Sequence, residues 1–319
     1  MSNLQDVDNK MKKSKFLLGA STLLAITACG GGEKSVVAAS VQTGVFLDSP
    51  IINIGYKTET LEGVTDSLGQ YQYLEGETVT FSIGDLVFPA VTAKDSVTPL
   101  DIAKSNDTSN STVVNMIRFL QTLDADGDAS NGLTISDLAK KAATQVNFDL
   151  TETAFETSAA VRSLILNAGQ STSPTALVSK ADAIAHFDQS LIDNFSINLS
   201  GREASSIVTR TDCPDTPGGW VYSFSDTAVT GTGSDKWWAG SCNLDPSSTE
   251  TLDVVAGNWY SCTDYPVCKL TDFVKAEYQG TDEDNRAFTA TSAFDVASKK
   301  LTYTKTVEGF TSTSVITIK

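Results

Sequence analysis

Residues 12–29 read KKSKFLLGASTLLAITAC: three lysines, an apolar core from 16 to 26, and a close on Thr27, Ala28 and Cys29. A positive end, a short greasy helix and small residues at the cut are the parts of an export signal. The core is shorter than the roughly 20 residues that span a bilayer, so it reads as a leader rather than an anchor. No basic flank follows to halt transfer. Residues 1–28 are thus expected to leave the mature protein, and the remainder folds in a compartment that permits disulfides. Met11 opens a typical short signal, whereas residues 1–10 place Asp6 and Asp8 ahead of the basic region; Met11 is the expected start.

That compartment gives the cysteines their meaning. Beyond Cys29 there are four, Cys213, Cys242, Cys262 and Cys268, all in the last third. An even number in an exported chain predicts two disulfides, with three connectivities open. Cys262 with Cys268 would close the short loop T-D-Y-P-V, and Cys213 with Cys242 would brace a hairpin. A zinc site is disfavoured, because no C-x-x-C pair is present and no histidine lies near. The formal net charge of -16 and the absence of Lys/Arg clusters exclude a nucleic-acid partner, since a phosphate backbone demands clustered positive charge. Signal removal takes away more lysine than aspartate, so the mature chain is more acidic still.

Ile26-Thr27-Ala28-Cys29 resembles the lipobox of bacterial lipoproteins, and residues 98–186, with NMIRFLQTLDADGDASNG at their centre, resemble a stretch of gammaproteobacterial outer-membrane-type surface or periplasmic lipoproteins of unassigned activity. The resemblance implies that Cys29 receives a diacylglycerol and, after cleavage, a further acyl chain, tying the protein to a membrane. Several chains on one residue hold where a single chain would not. Gly30 after the cysteine resembles outer-membrane sorting, with the surface or periplasmic side left open. A plain secretory signal with an incidental cysteine is the other reading. Residues 29–40, small and polar after three glycines, read as a flexible tether.

The mature chain divides by composition into an α+β, multidomain arrangement. Residues 41–95 carry strand-like runs with turn punctuation at Asp48-Ser49-Pro50, Ser67-Leu68-Gly69 and Glu75-Gly76-Glu77. Alternation at Tyr71 and Tyr73 and at Val79, Phe81 and Ile83 predicts one buried face. The order of features, with Thr65-Asp66 to Gly69 leading into an aromatic strand, resembles the transthyretin-like or carboxypeptidase-regulatory-like β-sandwich. In such chains that module implies a stalk rather than a catalyst. Residues 96–194 change to helical rhythm, with Val113, Met116, Ile117, Leu120 and Leu123 on one face. Further helices are expected at 136–145, 153–168 and 179–193. Residues 195–319 return to short strands at hairpin intervals, predicting an antiparallel β-sandwich or small barrel braced by the disulfides.

The segment LQTLDADGDASNGLTI brings Asp124, Asp126, Asp128 and Asn131 together in the sequence, a pattern suited to a hard cation such as calcium. It departs from the EF-hand, because Ala129 stands at the sharp-turn glycine and Ile135 at the twelfth position. A looser calcium loop or a plain polar turn remains. His186, the sole histidine, falls beside an apolar helical stripe, and no G-x-S-x-G elbow exists for it to serve, so a packed role is expected. Asp282, Glu283 and Asp284 read as a solvated hairpin tip. All four tryptophans lie after residue 195. Trp220 and Trp259 sit within strand patterns and are expected in the core, while alternation would turn one of Trp237 and Trp238 outward as a ligand-binding ring. The expectation is a non-enzymatic binding or adhesion protein that presents residues 195–319 to a protein or glycan partner. The alternatives are a carboxylate-dependent glycan hydrolase and a purely structural envelope protein.

Overall fold

The computed structural model describes residues 40–234, 242–252, 254, 262–281, 286–296, 298, 300–307 and 310–319. Nine short strands open it: β1 (Val41–Phe46), β2 (Ile51–Ile52), β3 (Gly55–Lys57), β4 (Glu62–Val64), β5 (Gln70–Leu74), β6 (Thr78–Ile83), β7 (Leu86–Val87), β8 (Val91–Thr92) and β9 (Ser96–Val97). β1 pairs antiparallel with β5 and parallel with β9, while β6 pairs with β3, β7 and β8. The two-residue period does the sorting. Val79, Phe81 and Ile83 of β6 and Tyr71 and Tyr73 of β5 all point inward. Phe46 lies flat on Phe81 with ring centroids 4.3 Å apart. The turn before β5 is held by Asp66, whose Oδ1 accepts from the backbone N–H of Leu68 and of Gln70, both at 2.9 Å.

Six helices follow: α1 (Pro99–Ala103), α2 (Ser111–Thr122), α3 (Asp137–Ala142), α4 (Glu152–Thr157), α5 (Ala159–Asn167) and α6 (Lys180–Asn194), with the two-residue strand β10 (Leu133–Thr134) between α2 and α3. The single helix expected at 153–168 is two. Ser158, at φ -58° and ψ 130°, ends α4 and starts α5, because its extended backbone breaks the ladder. α2 is the central helix, capped by Asn110 through the N–H of Thr112 and buried from Val113 to Thr122. Its polar residues are pins. Asn115 donates to the carbonyls of Phe148 and Leu150, Arg118 to that of Val178 and to Glu156, and Gln121 to Asp48 and the carbonyl of Ala183. The buried donors thereby recover partners that burial would otherwise remove, while Asn115 Oδ1 is left without one.

The boundary expected at residue 95 is not a break in the core. Residues from Phe46 to Leu177 form one apolar cluster, in which Phe88 stacks on Phe148 at 5.4 Å and Phe148 meets Phe119 at 5.6 Å. β2 also pairs with β10 through Ile51 and Leu133. A layer of about 55 residues buries only about 60% of the surface its unfolded chain exposes and is marginal by itself; here the helices complete its core. Phe119→Ala, at a fully buried position, is therefore expected to cost about 3–5 kcal/mol in a denaturant titration. A loss below about 1 kcal/mol would contradict a shared core.

The C-terminal region contains β11 (Ser196–Asn198), β12 (Glu203–Arg210), β13 (Gly218–Phe224), β14 (Val229–Ser234), β15 (Ser248–Leu252), β16 (Val267–Lys269), β17 (Lys275–Thr281), β18 (Ala287–Asp295), β19 (Lys300–Val307) and β20 (Phe310–Ile318). Eight form one antiparallel sheet in the order β15-β14-β13-β12-β20-β19-β18-β17. Two four-strand meanders meet at β12 and β20. The inner face buries Ala204, Tyr222, Phe224, Phe294, Leu301 and Ile316 against a smaller layer made of the β11–β16 pair and a 3₁₀ turn at Leu270–Phe273. The disulfides are Cys213–Cys242 and Cys262–Cys268, the local connectivity. The fold is thus α+β, with a disulfide-braced antiparallel β region at its end. Among the described residues no helix is long and apolar enough to cross a membrane.

Candidate functional site

α2 ends at Thr122, and the chain enters the acidic loop with Asp124 already paired to Ile135 in an isolated antiparallel bridge. That bridge carries the Asp124 side chain inward, to 1% exposure. Its Oδ1 accepts from the N–H of Thr134 at 2.9 Å, while its Oδ2 is buried with no hydrogen-bond partner. The loop after α5 closes over the same place. Ser171 donates its N–H to the carbonyl of Ala125 at 2.7 Å, and Gln170 Nε2 donates to the carbonyl of Thr122 at 3.0 Å. This donation fixes the amide, leaving Gln170 Oε1 buried and also without a partner. Asp124, Asp126 and Gln170 line one cavity of ≈ 220 Å³, together with Gln121, Gly127 and Thr172.

The four ligands expected from the sequence do not converge. Asp128 Oδ1 is taken up locally, accepting from the N–H of Ser130 at 3.1 Å and its hydroxyl at 2.6 Å, so it caps the 3₁₀ turn at Ala129–Asn131. Asn131 turns its donor end toward the loop, giving Nδ2–H to Asp126 Oδ2 at 3.0 Å. Among the described residues no three His, Cys, Asp or Glu side chains gather around one point. Asp124 and Asp126 do meet, and their environments differ. Burial, with the adjoining Asp126 carboxylate, pushes Asp124 up to about 6, although the Thr134 N–H pulls the other way. The N–H of Asp128 and the Asn131 amide hold exposed Asp126 below the usual carboxylate range. Gln170 went unread because nothing in the acidic motif points to a residue so far along the chain.

Divergent carboxylates are also what acid–base catalysis requires. Here the two are in side-chain contact. Glycosidase pairs stand about 5 Å or more apart to admit the sugar and water. The cavity is also smaller than the roughly 300–1,000 Å³ of ordinary ligand pockets. An ion with a few waters suits it better than a sugar.

A second polar cluster surrounds His186. Its Nε2 lies 2.9 Å from the carbonyl oxygen of Asp48 and 3.0 Å from Ser49 Oγ. A carbonyl only accepts, so Nε2 carries the proton and cannot serve Ser49 as a base. The histidine instead holds the D-S-P turn, where Ser49 has φ 75°. The Asp48 carboxyl behind it is fully buried, receiving Gln121 Nε2 at 3.1 Å on both oxygens. Burial pushes its pKa well above the usual range, against the Gln121 hydrogen bond. A raised folded pKa means that the native state holds its proton longer than the unfolded chain. This contribution to stability is complete below about pH 4 and is lost as pH rises through the folded pKa. Asp48→Asn, which retains one acceptor for Gln121, is expected to flatten the fall of stability as pH rises above about 4. An unchanged profile from pH-dependent unfolding would oppose this assignment.

The outer face of the eight-stranded sheet is the other candidate surface. On β12 and β13 Ile207 and Val221 are 62% and 53% exposed, with Ile207 opposite Val315 of β20. Around them lie threonines in lateral register: Thr209, Thr313, Thr304 and Thr291 run across four strands, and Thr311, Thr306 and Thr289 across three. Trp220, expected in the core, is partly buried, packs against the apolar cluster and stacks on Tyr222. Cys29, Trp237, Trp238, Trp259, Asp282, Glu283 and Asp284 lie outside the described residues. Comparison of the chain with protein-family models, curated proteins and solved structures finds no match.

Proposed function

We propose that the chain is a lipid-anchored lipoprotein of the bacterial outer membrane, exported on residues 1–28 and attached through Cys29. It acts without catalysis by presenting the outer face of its C-terminal sheet to a protein or glycan partner. The observation that carries the reading is the apolar spot of Ile207, Val221 and Val315 at the centre of that threonine-rich face. Apolar side chains on a monomer's surface are ordinary when scattered; here they cluster on central strands and are ringed by hydroxyls, the composition of a contact surface with a polar rim. The anchor and tether supply the means of holding such a face near other envelope components.

Two substitutions separate anchor from face. Cys29→Ser should move the protein from the membrane fraction to the soluble fraction after export; retention in the membrane would overturn the lipid anchor. The released protein should still bind isolated cell envelopes, and the added pair Ile207→Glu and Val221→Glu should reduce that binding at least tenfold at an unchanged unfolding midpoint. Equal binding by the face variant would overturn the role of the sheet.

A further inference from the structure

The cavity at the end of α2 is lined by Asp126 and by two residues that each have an orphaned buried oxygen, Asp124 Oδ2 and Gln170 Oε1. Buried oxygens without partners are rare, and each costs the full loss of its hydration. Asp124 is the more telling, because its residue is 1% exposed and its other oxygen is already engaged by Thr134. We propose that this cavity is a binding site for a hard divalent cation of the calcium type, held by Asp124 Oδ2, an Asp126 carboxylate oxygen and Gln170 Oε1.

The donor set fits that class of ion. All three groups offer oxygen, one of them neutral, and calcium accepts carboxylates, amide carbonyls and water in variable number. Magnesium demands tighter octahedral geometry and gives up its water reluctantly. A cavity of ≈ 220 Å³ leaves room for the waters that three protein ligands require. A proton shared between Asp124 and Asp126 would settle the carboxylates but leave Gln170 Oε1 unanswered. The cation satisfies both orphans. It would also tie α2 to the segment after α5, which reaches this loop through the Ser171 N–H bond to Ala125. Asp128 and Asn131 serve the loop and are not ligands.

The test is calorimetric titration of CaCl2 into the chelator-treated full chain at neutral pH, with the unfolding midpoint recorded in parallel. One site is expected, with a dissociation constant of about 0.1–1 mM, as in extracellular calcium modules, and a rise in midpoint of several degrees at 10 mM CaCl2. Asp126 is exposed, so Asp126→Asn should fold normally and weaken binding at least tenfold. Gln170→Ala should weaken it at least threefold, and Asp128→Asn should leave it within twofold. MgCl2 should bind at least tenfold more weakly. No heat and no midpoint shift at 10 mM CaCl2, equal binding of magnesium, or an Asp128→Asn loss as large as that of Asp126→Asn would each overturn the proposal.

Discussion

Gly84→Ala is expected to lower stability by more than about 4 kcal/mol, among the largest single-residue losses in this chain. Gly84 turns β6 into β7 with φ +54°, and a Cβ there would overlap the carbonyl oxygen of Lys140 and stand 2.8 Å from its carbon. The obstacle is backbone, so no rotamer relieves it. α3, which carries that carbonyl, cannot retreat freely. Its N-cap Ser136 accepts from Ala139, Lys140 Nζ donates to Asn53 Oδ1 at 2.7 Å, and Asn53 Nδ2 donates to the carbonyl of Ile135 at 2.7 Å. Gly76→Ala is the internal comparison, because Gly76 has φ +88° with nothing within 4 Å of the added carbon. It should cost only the strain of a left-handed alanine, about 1 kcal/mol. Denaturant midpoints decide the matter. Equal losses at the two positions would mean that the strand layer and α3 do not press together at Gly84.

The contrast between local and distant information runs through the molecule. The turn at Asp66 to Gly69 was legible because its chemistry is local: the carboxylate caps the backbone N–H groups two and four residues on, and glycine accepts φ 68°. The alternation in β5 and β6 was legible for the same reason. α2 was only half legible. Its apolar stripe announced a helix, but the burial of Asn115, Arg118 and Gln121 beside that stripe depends on partners at Phe148, Val178 and Asp48, which come from three separate segments. No sequence period encodes such pins. The shared core escaped for a related reason, since Phe88 and Phe148 belong to regions of opposite composition that meet only in the folded chain. The alternation of carboxylates singled out the acidic loop, in which Asp124 and Asp126 line one cavity. It could not show that Asp128 and Asn131 would be consumed by the loop's own hydrogen bonds, or that Gln170 would complete the cavity.

Replacing Cys213 and Cys242 together by alanine is expected to cost about 3.5 kcal/mol from loop entropy alone, given the sequence separation of 29. The same reasoning gives about 2 kcal/mol for Cys262 and Cys268, whose separation is 6. Burial narrows the difference. Cys262 and Cys268 are 5% and 0% exposed in the core with Leu199 and Phe273, so the loss of both leaves a void, whereas in the longer bridge only Cys213 is buried, at 3%, and Cys242 lies at the surface. Denaturation followed by tryptophan fluorescence reports this region selectively, because every tryptophan lies after residue 195. A loss below about 1 kcal/mol for the Cys213 and Cys242 pair would show that the unfolded chain gains little freedom there. The longer bridge has a second consequence, since the loop it closes contains Trp237 and Trp238 in the sequence. If those rings join the outer face in binding, the double variant should lose envelope binding while still folded, below its unfolding midpoint. Retained binding with reduced stability would assign recognition to Ile207 and Val221 and leave the bridge a purely stabilising role.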